Sequence, residues 1–350
     1  MNSIKIAING FGRIGRTVFR LLLDHPGIHV VAINDLSDSR TLSHLLKYDS
    51  IHGVWPGAVS YDSDGIIAGK THYPLLNEKS PEDIDWSPWQ PDIVIEASGK
   101  FKRREQLQHH IRNGAGQVVL SVPPEEDDIK MVVPGVNLHI LDGSEDIVSN
   151  ASCTTNNAAP MIRVIHDLCG IEQAYITTVH SYTTDQSLHD QPHRDLRRAR
   201  AAGQSIVPTT TGAAKALTRI FPELGNVIGG CGIRVPVPDG SLTDITFNVA
   251  RETSITAINA AFKNAAEKDL KGILSYTEDP IVSVDVINNP YSCVFDAQMT
   301  SVIGKMVKII GWYDNEFGYS NRIVDLISYM TTLRHRYPGN ISGKKAIIPS

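Results

Sequence analysis

The stretch Lys5-Ile6-Ala7-Ile8-Asn9-Gly10-Phe11-Gly12-Arg13-Ile14-Gly15 decides the fold of this chain. Its short apolar run predicts a buried strand, and the glycines open a segment whose apolar residues recur at helical spacing. A second apolar run, Ile28 to Ile33, predicts another strand and ends at Asn34-Asp35. Strand, glycine turn, helix, strand and then an acid about 20 residues after the last glycine form a far more specific pattern than the glycines alone. The pattern predicts a βαβ unit that binds a dinucleotide.

The three glycines and the acid have separate roles in such a unit. Gly10, Gly12 and Gly15 permit a tight turn and let a pyrophosphate approach the backbone at the start of the helix. Asp35 can accept hydrogen bonds from both hydroxyls of the adenosine ribose, and it would repel a 2′-phosphate. NAD is therefore the cofactor that the N-terminal sequence predicts.

Length and composition set further limits. A chain of 350 residues with a net charge of −5 is long enough for about two domains, and the absence of a long basic tract argues against nucleic acid as the main ligand. No apolar run reaches the roughly 18 residues that a membrane span requires. The first strand begins almost at Met1 and leaves no length for a signal peptide, so we expect a cytoplasmic protein. Four widely spaced cysteines without a CxxC pair indicate neither a metal site nor a disulfide framework.

The order of the next elements predicts that the N-terminal half is an α/β domain. Val94–Gly99 is expected to form a strand and a turn, Arg103–Ile111 a helix, and Gln117–Val122 another strand. Alternating strands and helices indicate a parallel sheet with right-handed crossovers. Ligands bind at the carboxyl ends of parallel strands, where Ser98 and Ser121 would join the glycine turn.

Beyond residue 170 the pattern changes to longer alternating segments, which predict a domain richer in sheet. The expected strands are Ala174–Val179, Cys231–Val235, Leu242–Ala250, Ile281–Val286 and Met306–Trp312. The expected helices are Ile255–Lys268 and Phe317–Met330. A polar and basic loop from Ser181 to Val207 is long for a compact domain, and loops of that kind are usually functional.

Cys153 is the candidate nucleophile. It lies in the run Ser149 to Asn156, where polar capping residues precede apolar residues at helical spacing. The pattern places the thiol at or just before a helix N-terminus, where free backbone N–H groups and the helix dipole stabilise a thiolate and lower its pKa. The alternative is a buried cysteine that serves as a small apolar residue.

The second half of the chain holds the other candidate groups. His180 ends an apolar strand and could deprotonate Cys153, although a structural histidine is the alternative. Arginines at 197, 198 and 200, followed by the hydroxyl-rich turn 209–212 before an alanine-rich helix, indicate an anion site. Arg234 lies in an otherwise apolar strand and needs a partner, either a phosphorylated substrate or a protein carboxylate.

With these motifs in order, the chain resembles the phosphorylating glyceraldehyde-3-phosphate dehydrogenases from Ile4 to about Met330. The matching motifs are Ile8 to Arg16, Leu45 to Ser50, Ser149 to Asn156, Thr178 to Thr183, Asp195 to Ala201, Pro208 to Ala216 and Trp312 to Glu316. The resemblance implies an α/β protein with a Rossmann-type parallel-sheet NAD domain at 1–150 and an α+β catalytic domain with a mostly antiparallel sheet at 151–315. A helix at 316–333 would pack back on the first domain, before a tail at 334–350. The family is tetrameric, and its long loop lies against a neighbouring subunit's cofactor site.

The resemblance also implies roles for single residues, with Cys153 as nucleophile and His180 as acid–base catalyst. The groups around the phosphate of glyceraldehyde 3-phosphate would be Thr183, Asp185 and Arg234. Those around the attacking inorganic phosphate would be Ser152, Thr154, Arg198, Thr211 and Gly212. NAD would be held by Gly10, Gly12, Arg13, Ile14, Gly15, Asp35, Ser98, Ser121 and Asn315, with Asn315 orienting the carboxamide.

The implied reaction is the NAD-dependent oxidation and phosphorylation of glyceraldehyde 3-phosphate to 1,3-bisphosphoglycerate through a Cys153 thioester. One alternative is erythrose-4-phosphate dehydrogenase, a sister family that uses water in place of phosphate. Its members usually carry Glu at the position of Asp35 and a different sequence after the catalytic histidine. The other alternative is a catalytically idle binding protein or redox sensor on the same fold, because a fold alone does not fix a function.

Overall fold

The computed structural model describes residues 3–23 and 25–336. In the N-terminal half, the strands are β1 Ile4–Asn9, β2 Ile28–Asn34, β3 Tyr48–Asp49, β4 Gly53–Val54, β5 Val59–Tyr61, β6 Gly65–Ala68, β7 Thr71–Leu76, β8 Ile93–Glu96, β9 Gln117–Leu120, β10 Lys130–Met131 and β11 Ile147–Ser149. The helices are α1 Arg13–Leu23, α2 Ser39–Lys47 and α3 Arg104–Arg112. The predicted strand–turn–helix–strand unit is thus confirmed as β1, α1 and β2.

These strands form one mostly parallel sheet in the order β10-β11-β9-β8-β1-β2-β7-β6-β5, beside the small hairpin β3-β4. The central strand β1 pairs in parallel with β2 and with β8. Only β5, β6 and β7 add antiparallel pairing, at one edge. The carboxyl ends of β1, β2, β8 and β9 therefore lie side by side, and they define the crevice described below.

The second half is built on a mixed, largely antiparallel sheet. Its strands are β12 Ile171–Ser181, β13 Val207–Thr209, β14 Ile228–Val235, β15 Ser241–Val249, β16 Leu274–Thr277, β17 Cys293–Asp296, β18 Ser301–Ile303 and β19 Met306–Tyr313. Its helices are α4 Cys153–Cys169, α5 Ala213–Ile220 and α6 Ile255–Glu267, and α7 Phe317–Arg336 follows the sheet. The strand order is β13-β14-β12-β15-β19-β17-β16, with β18 on β19, and β12-β14 and β16-β17 are its parallel pairs.

Each sheet buries its own apolar core. In the second half, Met161 of α4 and Phe262 of α6 pack with Ile245 and Phe295 of the sheet, and the two phenylalanine rings stack with centroids 3.7 Å apart. In the first half, α1 shares its core with α7, the last described helix. The chain therefore returns to the N-terminal sheet after completing the second one, which brings the β19–α7 connection between the two cores.

One expected strand is wrong. Residues 281–286 do not join a sheet, and Ser283–Val286 forms a short 3₁₀ helix instead. Val282 and Val284 alternate with polar residues but are 55% and 65% exposed, and Asp285 accepts the Val282 N–H at 2.7 Å. The alternation of apolar and polar residues here therefore reflects a turn capped by the Asp285 side chain, and not the two faces of a β-strand.

The sheet ends instead at β16, which pairs with β17. At the C-terminus, α7 continues to Arg336, past the expected end of the helix at 333. Positions 337–350, which hold most of the expected tail, lie outside the described residues. Among the helices that the structure describes, none is long and apolar enough to cross a membrane.

Candidate active site

Cys153 is the first residue of α4, which confirms the predicted helix start. Ser152 is the N-cap, and its hydroxyl accepts the Thr155 N–H at 3.1 Å. Before it, Ala151 is buried with φ +56°, a left-handed conformation that costs a non-glycine residue about 1 kcal/mol or more. This turn carries the chain from the end of β11 into the helix and leaves the sulfur half-buried on the wall of a pocket.

His180 lies beside the thiol, so the pairing expected from the sequence is present in space. Its Nε2 is 3.4 Å from Cys153 Sγ. Two groups lie near Nδ1, the Ser181 carbonyl oxygen at 2.8 Å, which can only accept, and Arg234 Nη1 at 2.9 Å, which can only donate. Both hydrogens of that Nη1 are already directed to the Ser181 carbonyl and to Thr183 Oγ1. We therefore assign the ring proton to Nδ1, which leaves the Nε2 lone pair facing the sulfur, placed to take a proton from the thiol.

Burial favours the neutral forms of this pair. It raises the pKa of Cys153 to about 11, against the Arg234 guanidinium and the Thr154 backbone N–H, which lower it. Burial, with the charge of Arg234, lowers the pKa of His180 to about 3. Desolvation therefore opposes the lowering of the thiol pKa that the helix terminus is expected to produce. Contact with solvent limits the effect of burial on the Cys153 pKa, because the sulfur lines an open pocket. The Cys293 thiol, in contrast, is fully buried.

The pocket beyond the pair is lined by cations, hydroxyls and a helix start. Arg234 on β14 is in register with His180 on β12, and its guanidinium donates to the Ser181 carbonyl at 2.9 Å and to Thr183 Oγ1 at 3.2 Å. Within the described residues no carboxylate lies within 4 Å of it, although its burial lowers its pKa. Of the two partners considered for Arg234, an anionic substrate is the one that this geometry leaves room for.

Arg198 forms the opposite wall. It donates to Thr209 Oγ1 at 3.0 Å and forms an ion pair with Asp185 at 2.6 Å. Asp185 in turn accepts the Thr183 hydroxyl. Thr211 and Gly212 stand at the start of α5, where Gly212 is the N-cap and lacks a side-chain cap. The Ala213 N–H donates to the Thr211 hydroxyl at 3.2 Å, and the other N–H groups of this helix start, with the two arginines, can hold an anion.

The remaining expected phosphate ligands are partly committed elsewhere. The wall of the pocket does not include Thr183, which contacts Arg234, or Asp185, which contacts Arg198. It brings together the other expected residues: Ser152, Cys153, Thr154, His180, Arg198, Thr211, Gly212 and Arg234. The Thr154 hydroxyl is 2.9 Å from the Tyr313 hydroxyl, and the Ser152 hydroxyl is 2.7 Å from that of Thr155. Each hydroxyl keeps at least one further hydrogen-bonding position.

A second crevice lies at the carboxyl ends of β1, β2 and β8, and Gly10, Gly12, Asp35 and Ser98 line it. Gly10 has φ +93°, and a Cβ there would be 2.5 Å from the Ser98 backbone N. A Cβ on Gly15 would be 2.1 Å from the Gly10 carbonyl oxygen, whereas one on Gly12 would meet nothing within 4 Å. The turn therefore has the shape that a dinucleotide requires, with its middle glycine open to the crevice.

Asp35 closes this crevice at one end. One carboxylate oxygen accepts the N–H of Phe11 at 2.8 Å, and the other accepts that of Ser37 at 3.0 Å. Each oxygen retains a lone pair for a ribose hydroxyl. The end of the second strand therefore offers the acceptors that the sequence predicts for the adenosine ribose.

The two serines expected at the cofactor site both contact Glu96, the last residue of β8. The Ser98 hydroxyl donates to the Glu96 carboxylate, and the Ser121 N–H donates to the Glu96 carbonyl at 3.0 Å, which joins β8 to the end of β9. Glu96 is fully buried, and its side chain accepts from Asn9 at 2.5 Å and lies 3.1 Å from His110 Nε2. This network fixes the floor of the crevice beneath Ser98.

Two other expected cofactor residues, Arg13 and Ile14, begin α1. The Arg13 guanidinium is committed to ion pairs with Glu316 at 2.5 Å and Asp49 at 3.1 Å. Burial lowers the pKa of Arg13, but the two carboxylates outweigh burial and raise the pKa overall. Ile14 is half-buried against the core. What both residues can offer a pyrophosphate is therefore their backbone N–H groups, since the first bond of the helix is donated by Arg16.

Sequence reasoning missed two groups of buried residues near the pair. The Tyr313 hydroxyl lies 2.9 Å from the Thr154 hydroxyl and 3.1 Å from the Thr178 hydroxyl, within hydrogen-bond distance of both. Its ring lies edge-on to His180. No local pattern reports this, because the contacts join α4, β12 and β19. The motif Trp312 to Glu316 was the one signal that could have drawn attention to the tyrosine.

The second missed group is a buried cluster in which His52 meets three carboxylates. His52 Nε2 is 3.0 Å from Glu316 and 3.9 Å from Asp239, and Nδ1 is 3.8 Å from Asp314. Burial, with the charges of Asp314 and Glu316, raises the pKa of Asp239 to about 8. The histidine uses opposite ring nitrogens toward Asp239 and Asp314, so the group is better suited to sharing protons than to converging on one cation.

The fold and the two sites together define a class of protein, an enzyme that joins a dinucleotide crevice to a cysteine–histidine pair and an anion pocket. Residues 4–104 match the family model "Glyceraldehyde 3-phosphate dehydrogenase, NAD binding domain", and residues 152–315 match the C-terminal domain of the same family. Similar curated proteins carry that name. One from Streptomyces avermitilis is 50% identical over 94% of this chain and 98% of its own length. Others, from Geobacillus stearothermophilus and Bacillus subtilis, are 48% and 47% identical over 94% of this chain and 99% and 98% of their own lengths.

The chain belongs to the glyceraldehyde-3-phosphate dehydrogenase family. It is an NAD-dependent oxidoreductase, and the cofactor and fold class expected from the sequence are confirmed. The comparisons favour neither the sister enzyme nor an idle protein on the same fold.

Proposed function

We propose that this protein oxidises and phosphorylates glyceraldehyde 3-phosphate to 1,3-bisphosphoglycerate, as part of glycolysis or gluconeogenesis. The observation that carries the proposal is the 3.4 Å contact between Cys153 Sγ and His180 Nε2 on the wall of a pocket that also holds Arg198 and Arg234. A nucleophile, a base and two anion-binding cations in one pocket are what acyl transfer to phosphate requires.

The first step is attack of the Cys153 sulfur on the aldehyde carbon. His180 Nε2 takes the thiol proton as the carbon–sulfur bond forms, and it returns that proton to the new oxyanion, which gives a hemithioacetal. The unpaired N–H of Cys153 at the start of α4 can stabilise the oxyanion. A neutral His180 is the form that accepts a proton, and burial with the charge of Arg234, which lowers its pKa, keeps the ring neutral.

The second step oxidises the hemithioacetal to a thioester on Cys153. His180 takes the hydroxyl proton, and NAD⁺, when bound, supplies the acceptor for the hydride. The residues of the crevice fit this cofactor, because the turn at Gly10 and Gly15 leaves no space for a side chain and Gly12 is open. We propose that the expected set holds it there: Gly10, Gly12, Arg13, Ile14, Gly15, Asp35, Ser98, Ser121 and Asn315.

In the last step, inorganic phosphate attacks the thioester, the carbon–sulfur bond breaks, and His180 returns its proton to the departing sulfur. We propose that Arg198, Thr211 and Gly212, with Ser152 and Thr154, hold the attacking phosphate. Arg234, with Thr183 at 3.2 Å from its guanidinium and with Asp185, holds the phosphate of the substrate. Support comes from the wall of the pocket, which Arg198, Arg234 and the start of α5 line together with Cys153.

The test is NADH formation from glyceraldehyde 3-phosphate with and without inorganic phosphate, beside erythrose 4-phosphate. We expect rapid turnover that requires phosphate and prefers the three-carbon substrate. Cys153→Ser should lose about 10³-fold or more in turnover while still binding NAD⁺, because a hydroxyl is a far weaker nucleophile. Cys293→Ser, at a buried cysteine, is a matched control and should form NADH at the rate of the parent. Equal rates without phosphate, or no loss in Cys153→Ser, would overturn the proposal.

We also propose that the chain works as a cytoplasmic homotetramer divided into an NAD domain at 1–150, a catalytic domain at 151–315, and the helix α7. The support for assembly is the loop between β12 and β13, where Leu188, Leu196 and Ile206 are each at least 70% exposed. Apolar side chains that stand out this far on one loop favour burial against another copy. Sedimentation of the intact chain, with Leu196→Asp as the variant that should dissociate it, tests the assembly.

A further inference from the structure

The side chain of Asn315 is held in one orientation by two buried serines. Asn315 lies between β19 and α7, where Asp314 Oδ1 accepts the N–H groups of Glu316 at 2.8 Å and Phe317 at 2.6 Å. Those bonds fix the turn that carries Asn315, which is 5% exposed. The position of its amide is therefore set by the backbone, and only its rotation remains to be decided.

The rotation is decided by hydroxyl groups at the ends of two neighbouring strands. Ser181 Oγ, at the end of β12, lies 2.9 Å from Asn315 Oδ1, and Ser241 Oγ, at the start of β15, lies 2.6 Å from it. The Ser241 hydroxyl also accepts the Ser181 N–H at 3.1 Å, so its own hydrogen is free to donate to the amide. Both serines are buried. With both hydroxyls donating to the oxygen, this arrangement assigns the carbonyl side of the amide to the serines.

The amide nitrogen of Asn315 is consequently left over. Among the described residues, Nδ2 has no hydrogen-bond partner, and it does not belong to the polar atoms that are sealed from solvent without one. Ser181 directly follows His180, whose Nε2 is 3.4 Å from the nucleophile. The nitrogen is thus a free donor, and its amide is held by Ser181, the residue that follows the base His180 on β12.

We propose that Ser181 and Ser241 are positioning residues that set which way the nicotinamide ring faces. By occupying Asn315 Oδ1 they turn Nδ2 toward the cofactor, where it donates to the carbonyl oxygen of the carboxamide. If the amide rotated, an oxygen would face that carbonyl, and the ring would lose the contact that distinguishes its two faces. The inference rests on the proposed function, because it requires a nicotinamide beside Cys153.

The experiment compares two ligands across the same variants. NAD⁺ carries the nicotinamide, whereas ADP-ribose fills the rest of the crevice without it. In Ser181→Ala and Ser241→Ala we expect the Kd for NAD⁺ to rise about fivefold, and by about 20-fold in the double variant, since one hydrogen bond to the shared acceptor is lost in each. The Kd for ADP-ribose should stay unchanged. Ser320→Ala is the control, because the Ser320 hydroxyl is buried in α7 without a partner.

The readout that a merely structural role would not move is the face of the ring that receives the hydride. With NAD⁺ deuterated at C4, the unmodified enzyme should deliver hydride to one face only, and the double variant should give a measurable fraction on the other. Unchanged NAD⁺ affinity and unchanged face selectivity in the folded double variant would overturn the inference. An unmodified protein that binds NAD⁺ no better than ADP-ribose and oxidises no aldehyde would instead count against the proposed function.

Discussion

Alanine substitutions in the glycine turn should affect stability and cofactor binding differently. At Gly12 we expect a loss of NAD⁺ affinity without a loss of stability, and at Gly15 a loss of stability. Gly12→Ala adds a Cβ that meets no atom within 4 Å, and its backbone is outside the left-handed region. Its stability should therefore match that of the parent, or gain up to about 1 kcal/mol from a more restricted unfolded chain. The same methyl group projects into the crevice where a pyrophosphate approaches the backbone, so we expect the Kd for NAD⁺ to rise at least about tenfold.

Gly15→Ala should behave in the opposite order. Its Cβ would be 2.1 Å from the Gly10 carbonyl oxygen and 3.4 Å from Ile8. Because the closest atom belongs to the backbone, α1 must move away from β1 by about 1 Å or more to restore ordinary contact. Such overpacking costs about 1–3 kcal/mol, so the unfolding midpoint should fall by several degrees.

Thermal unfolding without cofactor and calorimetric titration with NAD⁺ measure the two effects on the same samples. Gly10→Ala is the upper limit, because φ +93° and a contact of 2.5 Å with Ser98 combine strain with overlap. If Gly12→Ala bound NAD⁺ as the parent does, the crevice above Gly12 would not be the pyrophosphate site. If Gly15→Ala unfolded at the parent temperature, the close approach of α1 to β1 would not limit the packing there.

Three further predictions concern the charged groups. His180→Asn should slow the hydride step in single-turnover measurements by about 10²- to 10⁴-fold without weakening NAD⁺ binding, and a near-parental rate would show that the base lies elsewhere. Asp35→Ala should narrow or reverse a preference of at least about tenfold in kcat/KM for NAD⁺ over NADP⁺, while comparable efficiencies in the unmodified enzyme would show that Asp35 does not face the ribose. Burial and the charge of Asp314 raise the pKa of Asp239 to about 8 from an ordinary 3.8, so the stability linked to its protonated form is complete below about pH 4 and is lost as the pH rises through 8, at up to about 1.4 kcal/mol per pH unit. Asp239→Asn stays uncharged and should flatten the stability profile between about pH 4 and 8, and a parental slope in the variant would contradict this assignment.

Local sequence patterns were sufficient to predict the parts of the two sites that are formed by the backbone. The apolar period and glycine spacing around Gly10 predicted β1, α1 and β2, because strand and helix periodicity are properties of consecutive residues. Capping chemistry placed Cys153 at the start of α4 for the same reason. The alternating residues around Val284 misled the prediction, since a capped turn and an edge strand produce the same short pattern.

The ionisation of the nucleophile could not be obtained in this way. Helix termini lower a thiol pKa, and the sequence reports the helix terminus, but it does not report how deeply the thiol is buried. That depth follows from the packing of α4 against strands that are distant in the chain. In the structure burial is the larger effect, and it raises the pKa of Cys153 to about 11.

The sequence by itself therefore determined the nucleotide-binding unit, the helix start at Cys153 and the set of charged candidates. Only the tertiary structure decided which of these meet. Cys153 and His180 are 27 positions apart, Arg234 reaches His180 through strand register, and Arg13 turns away from the crevice to Glu316, 303 positions along the chain. The hydroxyls of Ser181 and Ser241 meet Asn315 because β12, β15 and β19 are neighbours in one sheet. Side-chain geometry of this kind arises from strand order and helix packing, which bring together residues that no local pattern connects.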